Sequence, residues 1–446
     1  MSITPPFETI GYNLILLNSW LSKKGIRRSK KLVLALFSDC NRGVLTKKKI
    51  KAGEEIINLP LNLTINVTTV LMDETFCAIF LDNDQPCLLE YKQSLTFQSL
   101  IAFYLLFLKV QGENSKWHLY LDSLPKAYTI PYFLSNEVKN FLDPDILLII
   151  EKQKVIIDKA FSTFNDILNS TKCNLNSIKE LIEHFNRSDF EWAYFTVNTR
   201  CVYMDLSNLI NLTHKHNTIL NIINDNTKIS LCPYLDMINH SAHARNETKL
   251  IVNKELENVP LLQLKENVFS EVRFSIYTKT SFEAYSQVFI CYGDSYNLKL
   301  ITEYGFYLPS NTLDYVPFDY EYFMTFLHSI EMKLSQEQCS FIASHGLDKD
   351  LYIDLKGLSF NLYGLLVVVK YFYNKDVNVS KLLYSAATCS YDRDLIDFVK
   401  PILYKKIFET EHIVSKLRNF EECVALSNCI ELMCQYIRIL EKFIKR

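Results

Sequence analysis

The sequence predicts an α+β protein of two domains, with strands gathered in some stretches and helices in others. Three observations carry that prediction. The chain has 446 residues, more than one ordinary core accommodates. Short apolar runs bounded by turn residues fall near 42–60 and again near 272–291, which is how strands read. From about 70 to 200, and again beyond 309, the texture is helical. Such segregation defines the α+β class.

Taken in order, the chain starts with an amphipathic stretch, Leu14 to Leu21, and a basic one, Lys23 to Lys31, read as a solvated terminus. Leu32-Val-Leu-Ala-Leu-Phe is a short apolar run with strand or helix character. Alternating apolar residues, a Lys51-Ala-Gly turn and a run stopped by Pro60 read as two short strands joined by a turn. Within them, Arg42-Gly43-Val puts a small residue where backbone can approach a ligand, or where an ordinary hairpin forms. Phe97 to Val110 is apolar nearly all round and fits a buried helix. Asp143-Pro144 supplies an N-cap and a first-turn proline for a helix running through Ile157. His118, in the aromatic segment from Ser115 to Pro125, has neither a nucleophile nor a second histidine beside it and reads as a packed or surface residue.

Residues 189–204 read as an apolar helix with Asn198-Thr-Arg200 near its end. An arginine there either bonds the helix's own carbonyls or holds a carboxylate in a forked geometry. Asp236-Met-Ile-Asn239-His240-Ser ends like a turn; its amides either grip a polar ligand or make a plain surface turn. The polar segment from Ser241 to about Lys265 reads as an excursion, and strands resume at Val272 to Tyr277 and Val288 to Cys291. From Gln287 to Phe306, two Tyr-Gly steps bracket one helical segment and gather aromatic rings and a phenol around what reads as a narrow pocket. Beyond Pro309 the chain reads as helices. Cys423, Leu426, Ile430, Met433, Ile437, Leu440 and Ile444 give the last one an apolar stripe that reads as core.

Composition excludes some functions. A net charge of -2, with 22% charged residues, argues against a general nucleic-acid coat or a polybasic membrane anchor. The twelve cysteines are scattered singly with no Cys-x-x-Cys pair, so neither a zinc ribbon nor a thioredoxin-type site is supported. They suit free thiols in a reducing compartment. The start lacks the pattern of a secretory leader, and the longest apolar runs, Leu100 to Leu108 and Leu362 to Val369, are too short to span a bilayer. A soluble protein of the cytoplasm, the nucleus or both is expected.

Asp236-Met-Ile-Asn239-His240-Ser and Gln287-Val-Phe-Ile-Cys-Tyr292-Gly, in this order, resemble the SET-domain protein-lysine methyltransferases. Arg42-Gly43, Val197-Asn-Thr-Arg200, Asn297-x-x-Leu300 and Tyr304-Gly-Phe306 narrow the resemblance to the Rubisco large-subunit methyltransferase type. The wording Asn-Thr-Arg-x-Val-Tyr looks most like its SET-domain-containing protein 4 branch. The resemblance implies a split, β-rich SET domain over residues 27–309, with a helical insert at about 70–220. An all-α C-terminal substrate-binding domain over 310–446 completes the chain. It implies S-adenosyl-L-methionine as cofactor, bound by Arg42, Gly43, Arg200, Asn239, His240 and Tyr292, with Tyr292 also the catalytic phenol. Met204, Asp236, Phe274, Tyr304 and Phe306 are implied to line the substrate channel, and no metal is required. The implied partner of this monomer is a protein substrate (a ribosomal protein, translation factor or histone), with no direct contact to nucleic acid or membrane. Two other readings stay open: a non-catalytic SET-like binding module and a protein-histidine methyltransferase. The chain departs from the family pattern at Asn41, where glycine is frequent, at Tyr285, where the turn usually has glycine, and at Ser286, where an acid is common.

Overall fold

A computed structural model of the chain describes residues 11–37, 41–80, 90–212, 217–253, 256–264, 268–269, 271–384 and 393–445. The chain divides into two compact units, one of residues 1–128 and 153–294 and one of residues 129–152 and 295–446. The boundary expected from the sequence is 309/310.

The first unit contains β1 (Arg27–Arg28), β2 (Leu32–Phe37), β3 (Asn41–Thr46) and β4 (Glu55–Pro60). After a helical stretch come β5 (Cys201–Tyr203), β6 (Ile210–Asn211), β7 (Ile229–Leu231) and β8 (Asn239–His240). Last are β9 (Asn246–Ile251), β10 (Val259–Pro260), β11 (Arg273–Thr278) and β12 (Gln287–Ile290). Two four-stranded sheets result, ordered β1-β4-β11-β9 and β2-β3-β12-β8, beside the small pairs β5-β7 and β6-β10. The apolar run at 32–37, open between strand and helix in sequence, is a strand because it pairs along its whole length with β3, Leu32 opposite Thr46 and Phe37 opposite Asn41.

The pairing of β12 positions the site residues. It runs antiparallel to β3 and parallel to β8, with Phe289 opposite Asn239 and Ile290 opposite His240. Parallel neighbours cannot be joined by a tight hairpin. The connection from β8 to β12 therefore leaves the sheet and returns through β9 and β11 of the other one.

The helical stretch between the two groups of strands is anchored by the helix Phe97–Val110. Thr96 caps it through the Ser99 amide, and it is buried almost without interruption from Phe97 to Leu108. It packs on the helix Arg187–Arg200, and Phe103 stacks on Phe164 with centroids 4.2 Å apart. His118 bonds the Ser115 carbonyl through Nδ1 at 2.9 Å, a local tie at a helix start.

The second unit is helical, with Tyr320–Ser329, Gln336–Ser344, Phe360–Tyr371, Arg393–Leu417 and Val424–Ile444 its main elements. The all-α expectation for this region needs one correction. β13 (Tyr315–Phe318) and β14 (Leu351–Asp354) form an antiparallel pair with alternating burial. Aromatic and β-branched residues favour the pairing, but Pro317 masks it in sequence because proline ordinarily demotes a strand. The last helix turns its buried face through Leu426, Cys429, Met433, Tyr436, Leu440 and Phe443. Cys423, at the start of the expected stripe, is exposed. The helix opened by Asp143-Pro144 runs to Ser170, well past Ile157, and the Asp145 amide donates to Asp143 Oδ1 at 3.0 Å as an N-cap should.

Candidate active site

The β8–β12 register brings Tyr292 against Asn239-His240. Immediately beyond β12, the Tyr292 amide donates to His240 Nδ1 at 3.1 Å and its hydroxyl donates to the Ile238 carbonyl at 2.7 Å. The two rings lie 5.2 Å apart. An imidazole that accepts through Nδ1 is neutral, with its proton on Nε2. Burial favours that form by pushing the His240 pKa down, against the opposing pull of Asp294. On the other edge, the Asn239 side-chain amide donates to the Arg42 carbonyl at 2.9 Å and so closes β8 onto β3. Gly43 makes this approach possible. A Cβ there would stand 2.9 Å from Asn239 Nδ2 and 2.5 Å from Gln287 Nε2.

Charge is concentrated in a second cluster. Arg200, last residue of its helix, donates from Nη1 to the Asp236 carboxylate at 3.0 Å and to the Asp236 carbonyl at 2.9 Å. The carboxylate is fully buried and also accepts from the Tyr120 hydroxyl at 3.0 Å. Of the two readings open in sequence, Arg200 takes the carboxylate. Burial opposes its charge, but Asp236, Tyr128 and Tyr120 outweigh burial and hold the guanidinium above its ordinary range. Burial and then the Asp236 charge push the Tyr120 phenol well up. Burial first, and then Arg200, push Arg42 down; its Nη1 donates to the Ser123 carbonyl at 2.5 Å. Two guanidinium groups therefore feel a single buried carboxylate. Arg200 Nε and Asp236 Oδ1 are buried without hydrogen-bond partners, each a deficit of about 1–3 kcal/mol if nothing completes it.

The other implied residues are distributed more widely. Met204 is buried, its sulfur accepting from Ser230 Oγ at 3.5 Å. Phe274 is buried in β11, opposite Leu59 and Leu250, in the sheet without β8 and β12. Asp236 turns inward to Arg200 and Tyr120. Tyr304 and Phe306 belong to the second unit, with ring centroids 6.2 Å apart. Sequence reading missed Tyr120 and Tyr128. Tyr120 lies in the aromatic segment from Ser115 to Pro125, where His118 is the more conspicuous residue. Tyr128, whose hydroxyl shares a 2.7 Å hydrogen bond with Thr196, has no motif around it. Among the described residues no group of His, Cys, Asp and Glu could hold a metal ion.

The fold that carries this arrangement is the SET methyltransferase fold. The SET domain of LSMT bound to lysine and AdoHcy aligns with 98% of this chain and 91% of its own, at a TM-score of 0.59 and 15% identity. The chain is also 27% identical over 419 residues to SET domain-containing protein 4 of Homo sapiens, covering 94% of this chain and 86% of that protein. Over 437 residues it is 22% identical to a ribosomal lysine N-methyltransferase of Schizosaccharomyces pombe, covering 94% and 96%. No protein-family profile matches the chain.

Proposed function

We propose that the chain is an S-adenosylmethionine-dependent protein-lysine N-methyltransferase, with its SET domain over 27–309 and a substrate-binding domain over 310–446. The observation that carries this reading is the phenol of Tyr292, held by the Ile238 carbonyl beside a neutral His240, together with a charge cluster short of one anion.

The charge cluster fits the cofactor. An amino-acid carboxylate would answer the partnerless Arg200 Nε–H and the excess of guanidinium over carboxylate. Arg200, Arg42, the backbone at Gly43 and the Asn239-His240 turn would hold the cofactor, which supplies a sulfonium-bound methyl group when present. The chain's own residues orient the acceptor. Because the Tyr292 hydroxyl spends its proton on Ile238, its oxygen is left as an acceptor, suited to weak C–H···O contacts with a methyl group brought to it. Transfer needs the lysine as a neutral amine, and apolar surroundings lower its pKa toward that form. Holding amine and donor in line can supply about 7–11 kcal/mol of the barrier. The resemblance, rather than any distance, assigns Tyr304 and Phe306 to the lysine channel.

The partner is a protein, acted on by a monomer in the cytoplasm, the nucleus or both. Likeness to a ribosomal lysine N-methyltransferase supports a ribosomal protein ahead of a translation factor or histone. Calorimetry should show the full-length chain binding S-adenosylmethionine. With labelled cofactor it should mark a protein of a cell extract, and mass spectrometry should place the methyl groups on lysine. Absence of cofactor binding would sink the reading, and label on histidine would redirect it.

A further inference from the structure

Although the whole chain carries a net charge of -2, basic residues from separate stretches converge at one end of the first unit's sheets. The Lys47 amide donates to the Lys31 carbonyl at 2.8 Å, and the Lys31 ammonium reaches the Lys49 carbonyl at 2.9 Å. Lys30 and Lys31 thus lie beside Lys47, Lys48 and Lys49, with Arg27 leading in along β1. Glu54 pairs with Lys31 at 2.5 Å and Glu283 with Lys49 at 2.6 Å. Arg27, Lys30, Lys47 and Lys48 are exposed and make no ion pair with a described residue. Positive charge is left over on this end.

The facing turn adds a ring. The Tyr285 amide donates to the Thr46 carbonyl at 2.6 Å, and the Thr46 amide to the Ser286 carbonyl at 2.9 Å. Tyr285 therefore stands directly beside the lysine run. Its side chain is 62% exposed on a backbone φ of 61°. A bulky residue in the left-handed region is strained by about 1–3 kcal/mol, whereas glycine occupies it freely. Tyr234, the other described tyrosine with a positive φ, of 73°, is fully buried. At Tyr285 little is buried in return, and the residue stands open to solvent beside the lysine run.

We propose that this lysine-rich edge and Tyr285 bind single-stranded nucleic acid, with phosphates on Lys30, Lys47 and Lys48 and an unpaired base stacked on the Tyr285 ring. Lysines alone would accept any polyanion, an acidic protein included. An exposed aromatic platform among them selects a partner that presents π faces as well as charge. The overall charge that argues against a general nucleic-acid coat does not bear on this edge, because net charge sums over the chain while a phosphate strand senses only a local face. The proposal is independent of the methyltransferase reading.

Fluorescence anisotropy of the full-length chain with labelled oligo(U) and oligo(dT), from 50 to 200 mM salt, tests it. Binding to both should weaken with salt. The double variant Lys47→Gln/Lys48→Gln should flatten the log–log salt slope by about 1.4, roughly 0.7 for each phosphate contact on a single strand. Tyr285→Gly should weaken binding on the order of tenfold, while its melting temperature stays level or rises because the strained backbone is relieved. Three results would each overturn the proposal: no binding at 50 mM salt, affinity indifferent to Tyr285→Gly, or displacement by polyglutamate as effective as by oligonucleotide. The last two would mark a plain polyanion surface.

Discussion

The two halves of the candidate site are held by different physics. The half around Tyr292 is stitched by neutral hydrogen bonds that each use one backbone group: the Tyr292 hydroxyl to the Ile238 carbonyl, the Tyr292 amide to His240 Nδ1, and the Asn239 side-chain amide to the Arg42 carbonyl. Each follows from the β3–β12–β8 register, and each contributes about 0.5–1.5 kcal/mol. The half around Arg200 is an ion pair with a fully buried carboxylate, crossed by the Tyr120 phenol and facing a second guanidinium. Geometry in the first half is redundant and cheap. In the second it depends on a few desolvated charges, where a fully satisfied network is rigid and a broken one is expensive.

The sharpest way to break this comparison is to remove the buried anion. Asp236→Ala leaves Arg200 without its partner and should destabilise the chain by about 3–5 kcal/mol, read by urea denaturation. The apolar double variant Asp236→Leu/Arg200→Met should recover much of that stability, since well-packed hydrophobic replacements of buried pairs are often neutral, yet it should no longer bind S-adenosylmethionine. A loss under about 1 kcal/mol for Asp236→Ala, far below the cost of orphaning a buried charge, would show that the charged half is not a unit.

Next in size is Tyr292→Phe. It removes one bond to Ile238 and should leave the fold and cofactor affinity nearly unchanged, because Arg200 and the Asn239–Arg42 tie are untouched. Methyl transfer should fall on the order of 10²-fold, as for misplaced reacting groups. Equal losses of cofactor binding and transfer would mean that the halves are not separable.

The same division explains what could be read from the sequence. The neutral half sits in two contiguous motifs, Asp236 to Ser241 and Gln287 to Gly293, so strand, turn and phenol were legible together. Arg200 was legible as one of two alternatives, and only tertiary closure decided between them. The inward turn of Asp236 and the parts played by Tyr120 and Tyr128 were not legible, because Tyr120 and Asp236 meet from segments 116 residues apart along the chain. β13 and β14 were hidden by Pro317 and by the helical texture around them. The basic edge was hidden differently: Lys30 and Lys47 become neighbours only through the β2–β3 pairing.

The smallest expected effect extends the contrast to the two units and concerns pH. In the first, burial lowers the His240 pKa. Below about pH 6.5, the ordinary value, the unfolded chain then takes up a proton that the native state resists, so this unit loses stability as pH falls. In the second unit the sign reverses. Burial and then Asp143 raise Asp145 to about 7 from an ordinary 3.8, against the pull of Lys406. Between about pH 4 and pH 7 the native state binds the extra proton, so its stability falls as pH rises. Going from about pH 7 to about pH 5 should therefore strengthen residues 129–152 and 295–446 while weakening the peptides around 239–292. Amide exchange followed by mass spectrometry, corrected for the intrinsic pH dependence of exchange, reads the two separately. Asp145→Asn should flatten the response of the second unit and leave that of the first intact. Responses of the same sign in both units, or an unchanged slope in Asp145→Asn, would mean that other groups govern the pH dependence.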